Sequence, residues 1–283
     1  VKILEKNGIF FGAYQDHNQE SIFFQRLNRW LVSFNNSYWD NPKSFDTLDN
    51  KNLDFLISKC NKSIQNKILI LYFFGFKNIF LNNSFSSYDL PWGWKDPLNT
   101  FTLDIWSKIF PSISVINIVR NPIDVSCSLI NRQSKMKSHD LKNLKKYFNS
   151  LIPILSINKG AVFRSFEINT IDDCLILYKK YQDKIKLNNL KNIKQINIKY
   201  EDLVNNTEQT IKKLNKKLKI NFEKIQLTPT TLKKPNKGNS SFPKEDKYFG
   251  KIYKNSMEEK FKNQVNLPKE YFEIYDNLQE NLY

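Results

Sequence analysis

The chain has 283 residues, 40% of them hydrophobic and 25% charged, a composition that excludes a disordered protein and allows one large domain. Its longest apolar run, residues 68–76, is too short to cross a bilayer, so no transmembrane segment is expected. Three widely spaced cysteines and two histidines offer neither a disulfide framework nor a metal site, and they favour a reducing, cytoplasmic location.

A formal net charge of +16 is compatible with a nucleic-acid partner. However, only five of the 44 basic residues are arginine, and the lysines are scattered along the whole chain. This distribution is typical of solvated surface lysines rather than of a dedicated nucleic-acid face, so no specific nucleic-acid partner is predicted. In such a chain an arginine is notable, because its planar guanidinium binds anions in a bidentate way that lysine cannot.

The amino-terminal part of the chain is predicted to be mainly helical. Helices are expected at 1–6, closed by Asn7-Gly8, at 20–33, at 49–62 and at 100–110. The apolar run 68–76 fits a buried strand and a buried helix equally well. A short strand is expected at 89–95, ending at a loop.

Beyond residue 110, strands are predicted to alternate with helices. Residues 114–119 (Ser-Val-Ile-Asn-Ile-Val) are expected to form a buried central strand, because β-branched residues dominate them. A second strand is expected at 195–199, helices at 140–150, 171–187 and 207–218, a loop at 229–250, and two more helices after it. This alternation predicts an α/β fold with a largely parallel sheet.

The junction after the strand at 114–119 has the features of a phosphate site. Arg120 stands at the carboxyl end of the strand, where open parallel sheets bind ligands. Asn121, Pro122 and Asp124 favour a helix start immediately afterwards, and Ser128 lies two turns into that helix on the same side. An arginine, free helix N–H groups and a hydroxyl can together bind phosphate. The alternative is that Arg120 pairs with a structural carboxylate and Ser128 has no special role.

Complete dinucleotide-binding and Walker motifs are excluded, because the chain contains neither GxGxxG nor GxxxxGK[ST]. Three segments instead resemble the sulfotransferase family. Residues 119–129 resemble its second cofactor motif, Arg-Asn-Pro-x-Asp with a serine eight residues after the arginine. Residues 92–100 (Trp-Gly-Trp-Lys-Asp-Pro-Leu-Asn-Thr) resemble the segment that precedes this motif in bacterial-type members, and residues 196–203 end in the characteristic Tyr-Glu-Asp-Leu. The order and spacing also match, while the outer thirds of the chain match weakly.

The resemblance implies a P-loop-NTPase-like three-layer fold with a central, mostly parallel sheet flanked by helices, in a single sulfotransferase-like domain over residues 1–283. It also implies 3′-phosphoadenosine 5′-phosphosulfate as co-substrate, without a metal. In relatives, the residues that match Arg120 and Ser128 hold the 3′-phosphate, and the tyrosine that matches Tyr200 lies near the adenine. A buried tyrosine capping the strand is the alternative for Tyr200. Lys237 and Gly238 resemble, in position and charge, a basic-glycine segment that folds over the 3′-phosphate in relatives.

The catalytic candidate in the segment 92–100 is Lys95. At the end of the expected short strand its ammonium could neutralise charge that develops on the leaving phosphate during sulfuryl transfer, although a surface lysine is the alternative. Relatives use a histidine or glutamate to deprotonate the acceptor, and Glu20 or His17 stands near the acidic base of glycan-type relatives. Glu20 also has an ordinary explanation as an acidic residue in the first turn of a helix.

Sulfotransferases begin with a strand and a loop resembling Lys/Arg-Ser-Gly-Thr, which cradles the 5′-phosphosulfate, whereas residues 1–8 resemble the end of the helix that follows it. The sequence therefore predicts that this strand and loop are missing before residue 1, through truncation or true loss, and that the chain binds the sulfate end of the donor poorly. The leading hypothesis is sulfuryl transfer to a hydroxyl or amine of a glycan, lipid or small metabolite. The alternatives are a non-catalytic nucleotide- or polyanion-binding relative and a basic nucleic-acid binder.

Overall fold

The computed structural model describes residues 1–218 except 46, 80–83, 89, 134–164, 166 and 190–192. Its elements in chain order are α1 (Lys2–Lys6), α2 (Ile22–Phe34), α3 (Asn50–Gln65), α4 (Leu71–Ile79), α5 (Asn99–Ile109), β1 (Ser114–Val119), α6 (122–133), α7 (Ile171–Asn189), β2 (Lys194–Lys199), α8 (Tyr200–Asn205) and α9 (Thr207–Leu218). The elements expected at 140–150 and after residue 218, together with Lys237 and Gly238, lie outside the described residues.

Within the described residues, the helix starts and stops that short-range signals predict are confirmed within a few residues. Asp49 caps α3, because its carboxylate accepts the backbone N–H of Asn52 at 2.7 Å. The chain leaves α1 through Asn7 and Gly8, and Gly8 has the left-handed φ of +82° that glycine adopts at helix ends. The helix α9 has the bounds that the sequence predicts.

The apolar run 68–76, which fitted a strand and a helix equally well, is a turn that leads into α4. The side-chain oxygen of Asn66 accepts the N–H groups of Ile68 and Leu69 at 3.0 and 3.1 Å, and this turn starts the helical path. Gly75 then kinks α4 with a φ of +73°. A Cβ atom at Gly75 would lie 2.9 Å from the Cβ of Ala13, so the close approach of these two segments also requires glycine.

Contacts divide the chain into two compact units. Of the described residues, those within Val1–Asn117, Asp183–Ile198 and 202–218 form the first unit, and those within Ile118–Gln182 and Lys199–Glu201 form the second. The candidates Lys95, Glu20 and His17 belong to the first unit. Arg120, Ser128 and Tyr200 belong to the second.

The core of the first unit is built largely from aromatic side chains of α2, α4 and α5. Phe24 of α2 stacks on Trp94 with ring centroids 4.0 Å apart, and Trp106 of α5 meets Phe24 edge-on at 5.4 Å. Phe73 of α4 meets the same ring edge-on at 5.3 Å. Because aromatic rings bury large areas and prefer defined relative orientations, this packing fixes the segment around Trp94 against α2 and α5.

The strands β1 and β2 pair as a parallel two-stranded sheet, and the described residues form an α/β arrangement of this sheet with helices. β1 is less buried than the expected buried central strand, because Ile118 is half exposed and only Val119 of this strand is fully buried. The expectation of a strand at 89–95 is wrong. The described part of that segment forms one parallel bridge between Trp92 and Phe10, since Pro91 has no N–H with which to extend a ladder.

All three cysteines are buried free thiols. Burial raises the pKa of Cys60 and of Cys174 to about 12, so neither is a thiolate at neutral pH. Within the part of the chain that the structure describes, no helix has both the length and the apolar character that a membrane span needs. The same residues contain no group of three or more His, Cys, Asp or Glu side chains arranged to hold a metal ion.

Candidate active site

Lys95 and Glu20 form an ion pair in the first unit. Lys95 Nζ lies 2.8 Å from Glu20 Oε1 and 3.4 Å from the carbonyl oxygen of Asn18. The Lys95 side chain is 41% exposed and that of Glu20 only 12%, so the ammonium faces solvent while the carboxylate is largely removed from water. Sequence reasoning selected these two residues for separate reasons, and the structure brings them together. A catalytic role for Lys95 stays a prediction.

A tight polar loop that begins at Asp16 holds Glu20. Asp16 Oδ1 accepts the N–H groups of Asn18 and Glu20, both at 2.9 Å. Between them Gln19 has a left-handed φ of +63°, which is uncommon for a residue with a side chain. From α2, Gln25 Nε2 donates to Asp16 Oδ2 at 3.0 Å and to Glu20 Oε2 at 2.8 Å. Both oxygens of Glu20 are thus engaged, one by the lysine and one by an amide.

A fully buried asparagine of α2, Asn28, anchors the segment that follows the lysine of the ion pair. Its Nδ2 donates to Asp96 Oδ2 at 2.9 Å and to Asn99 Oδ1 at 2.8 Å. Its Oδ1 accepts hydrogen bonds from two side chains of α5, Thr102 Oγ1 and Trp106 Nε1, both at 2.8 Å. Every donor and acceptor position of the carboxamide is therefore used.

Asp96 is a buried carboxyl group next to Lys95 in the sequence. Burial raises the pKa of Asp96 to about 7 against the opposing effect of the hydrogen bond from Asn28, and the nearby negative charge of Glu20 adds to the rise. This carboxyl group therefore titrates near neutral pH, where an exposed aspartate would be fully ionised.

His17, the alternative base, has an exposed side chain. No hydrogen bond or ion pair joins it to Lys95 or Glu20 among the residues that the structure describes. The structure thus brings one of the two predicted bases to Lys95. A role for His17 stays a prediction.

In the second unit, Arg120 has an incomplete set of partners. Its Nη2 lies 3.3 Å from Asp124 Oδ2, and its guanidinium carbon lies 4.9 Å from the ring centroid of Tyr200. The side chain is 38% exposed, and its Nε is buried without a hydrogen-bond partner in the described part of the chain. The predicted alternative, a structural carboxylate, is present as Asp124. However, 3.3 Å is long for a charge-assisted hydrogen bond, and this contact engages only Nη2 of the guanidinium.

The backbone around Arg120 is fixed from two other elements. Asn121 Oδ1 accepts the N–H of Ile123 at 2.9 Å, which is the helix cap that the sequence predicts. The N–H of Asn121 donates to Glu201 Oε1 at 3.0 Å, and the Tyr178 hydroxyl donates to the carbonyl oxygen of Arg120 at 2.9 Å. The turn from β1 into α6 is therefore held by side chains of α7 and α8.

The other two candidates of the second unit are exposed. Ser128 lies on α6 with its side chain in solvent, and the described residues offer its hydroxyl no hydrogen-bond partner. Tyr200 is 41% exposed, so the alternative of a buried tyrosine is wrong, and its ring faces the Arg120 guanidinium. Their roles at a nucleotide stay predictions.

Sequence analysis assigned no role to Asp16, Gln25 or Asn28. A signal for Asn28 was present, because it stands at helical spacing between Phe24 and Leu31 on the core-facing stripe of α2, where a polar residue needs buried partners. Gln25 gave a weaker signal as a second amide one turn earlier. Nothing local distinguishes Asp16 from an ordinary loop residue.

A cavity of about 780 Å³ also lies in the first unit, at the amino-terminal ends of β1 and β2. Its walls include Phe45, Leu53, Asp104, Lys108 and Lys194. None of the predicted site residues that the structure describes lines it. The candidate chemistry is therefore located by the ion pair and the hydrogen bonds around it and not by this cavity.

A model of the sulfotransferase family matches residues 12–224, about three quarters of the chain. The chain belongs to the sulfotransferase family. The resemblance drawn from residues 92–203 is thereby confirmed, and sulfuryl transfer is the general reaction of the family, for which 3′-phosphoadenosine 5′-phosphosulfate is the usual donor. A comparison with curated proteins and another with solved structures gave no match. This sulfotransferase-family chain carries Lys95, Glu20, Arg120, Ser128 and Tyr200 within the matched residues.

Proposed function

We propose that this sulfotransferase-family chain transfers a sulfuryl group from 3′-phosphoadenosine 5′-phosphosulfate to a hydroxyl or amine acceptor, which could belong to a glycan, a lipid or a small metabolite. The observation that carries the proposal is the 2.8 Å ion pair between Lys95 and Glu20. A cation for a leaving phosphate and a carboxylate for an acceptor proton are the two groups that such a transfer needs. A P-loop-like three-layer fold is part of the same proposal.

The residues of the second unit fit the 3′-phosphate end of the donor chemically. The Arg120 side chain is 38% exposed, and its Nε has no hydrogen-bond partner among the residues that the structure describes, so its guanidinium has donors to offer to phosphate oxygens. In this proposal the exposed hydroxyl of Ser128 adds a neutral donor, and the exposed ring of Tyr200 offers a stacking surface for the adenine. Lys237 and Gly238 are further candidates for the 3′-phosphate.

Lys95 and Glu20 divide the chemistry of the transfer between them. In the proposed step, Glu20 accepts the proton of the acceptor as its oxygen or nitrogen forms a bond to sulfur. Lys95 neutralises the charge on the phosphate oxygen whose bond to sulfur breaks. His17 is the alternative base. The donor contributes the activated sulfuryl group and a stable phosphate as leaving group.

The experiment measures sulfuryl transfer from radiolabelled donor by the natural full-length protein, with a panel of hydroxyl and amine acceptors and mass spectrometry of the products. Wild type should transfer label, and Glu20→Gln should lower turnover strongly while leaving donor binding intact. Lys51→Ala removes an exposed lysine of α3 and is the matched control for Lys95→Ala. Tight binding of the donor with no transfer to any acceptor would favour the alternative, a non-catalytic nucleotide-binding relative.

A further inference from the structure

The helix α2 carries two buried carboxamides on the side that faces the ion pair. Gln25 and Asn28 are three residues apart, so their side chains project from neighbouring positions one helical turn apart. Gln25 is almost fully buried and Asn28 is completely buried. Burying a carboxamide costs free energy unless all its hydrogen-bonding groups find partners, so two such groups on one face need an explanation.

Gln25 fixes the carboxylate of the ion pair. Its amide nitrogen donates at 2.8 Å to Glu20 Oε2, the oxygen that Lys95 does not contact, and at 3.0 Å to Asp16 Oδ2. Asp16 also accepts the N–H of Glu20. The backbone and the carboxylate of Glu20 are therefore held by the same pair of side chains, Asp16 and Gln25. The remaining oxygen, Oε1, is the one presented to the lysine.

Asn28 fixes the lysine side of the pair through the backbone. Lys95 is followed directly by Asp96, whose carboxyl group Asn28 binds at 2.9 Å. Asn28 also binds Asn99 at 2.8 Å, and Asn99 in turn accepts the indole N–H of Trp94 at 2.7 Å. The residues on both sides of Lys95 are thus tied to one buried amide.

We propose that Gln25 and Asn28 are the positioning residues of this site, which set the separation and orientation of Glu20 and Lys95 from a single helix. The inference rests on the proposed function, because it assigns these amides to the two groups that carry the chemistry. Buried polar networks whose members are all satisfied specify one geometry, and catalytic groups that move by about 1 Å can lose about 100-fold in rate. Both amides act through other residues and need not touch a substrate.

The test for Gln25 is a double-mutant cycle with Glu20. Gln25→Met keeps the length of the side chain and removes its donors, and it should lower kcat about 10- to 100-fold with little change in donor affinity. In the Glu20→Gln background the same substitution should cost almost nothing further, because the group it positions has already lost its function. Gln65→Met, at an exposed glutamine of α3, is the matched control and should leave kcat unchanged in both backgrounds.

The test for Asn28 is the corresponding cycle with Lys95. Asn28→Asp keeps the shape and the acceptors but removes both donors, and it should lower kcat in the wild-type background and add little in the Lys95→Ala background. If Asn28→Asp does not fold, Thr102→Val removes one of its four hydrogen bonds and serves in its place. Circular dichroism and thermal melting establish folding for each variant.

The outcomes separate this inference from the proposed function. If Glu20→Gln and Lys95→Ala transfer sulfate as wild type does, neither residue takes part in the reaction. Both the proposed function of the ion pair and the positioning role of the amides are then overturned. If those variants are impaired while Gln25→Met and Asn28→Asp are fully active, the positioning role alone is overturned. An equal loss of kcat in both backgrounds would also overturn it, because it would make the amides structural.

Discussion

Replacing Asp96 with asparagine should change how the stability of the first unit depends on pH. The pKa of Asp96 is raised from 3.8 to about 7, chiefly by burial. A raised carboxyl pKa means that the folded state binds the proton more tightly than the unfolded state does. The contribution of Asp96 to the unfolding free energy is therefore complete below pH 3.8 and is lost as the pH rises toward 7. A rise of about three in this pKa corresponds to roughly 4 kcal/mol of unfolding free energy. This stabilisation is lost at about 1.4 kcal/mol for each pH unit between the two pKa values.

Asp96→Asn removes this titration. Between pH 5 and 7 the unfolding free energy of the variant should therefore fall less steeply than that of wild type, by about 1.4 kcal/mol per pH unit. The variant also loses about 1 kcal/mol at every pH, because its new amide would face the Nδ2 of Asn28. A flip of the Asn28 carboxamide cannot restore this hydrogen bond, because the indole N–H of Trp106 donates to the Asn28 oxygen in its present position.

The assay is urea unfolding at several pH values, followed by tryptophan fluorescence. All five tryptophans belong to the first unit, so their signal reports on the unit that contains Asp96. Asp54→Asn, at an exposed aspartate of α3, is the matched control and should leave the slope unchanged. Parallel curves for Asp96→Asn and wild type would refute the argument that burial holds this carboxyl group neutral.

Three further predictions concern the two units separately. Arg120→Ala should weaken binding of 3′-phosphoadenosine 5′-phosphate by about 2–4 kcal/mol in calorimetry, and unchanged affinity would remove Arg120 from the donor site. Lys95→Ala should lower single-turnover sulfate transfer by about 10²–10³-fold and Lys95→Arg should restore it partly, whereas undiminished transfer would make Lys95 a surface lysine. Gly75→Ala should lower the unfolding free energy, measured by urea unfolding, by about 1–3 kcal/mol, because Gly75 has a positive φ and a Cβ there would lie 2.9 Å from Ala13. An unchanged unfolding free energy would contradict the positive φ and the close contact at this position.

What the sequence predicted well depends on short-range signals. The β-branched residues of β1 and the Asn121 cap of α6 lie within a few positions of each other, so strand, turn and helix start can be located without tertiary information. The same holds for Arg120 at the end of that strand. The run 68–76 could not be assigned, because a continuous apolar segment has no period and its path depends on Asn66 and Gly75.

The polar network of the first unit depends on long-range contacts. Asn28 meets partners that are 68 to 78 residues away in the sequence, and Lys95 meets Glu20 across 75 residues. A single sequence can indicate that Asn28, Lys95 and Glu20 are candidates for a special role, but it does not show which polar groups are in contact. Both residues of the ion pair were selected from the sequence, while the amides that hold them were found only in the fold.

The complete use of Asn28 also determines how this position tolerates change. A replacement there must offer two donors and two acceptors within the volume of an asparagine, at a position with no access to water. Aspartate lacks the donors, leucine lacks both kinds of group, and glutamine adds a methylene to a filled core. In a library of all single substitutions, position 28 should therefore accept almost nothing besides asparagine, whereas the exposed Trp30 on the same helix should vary widely.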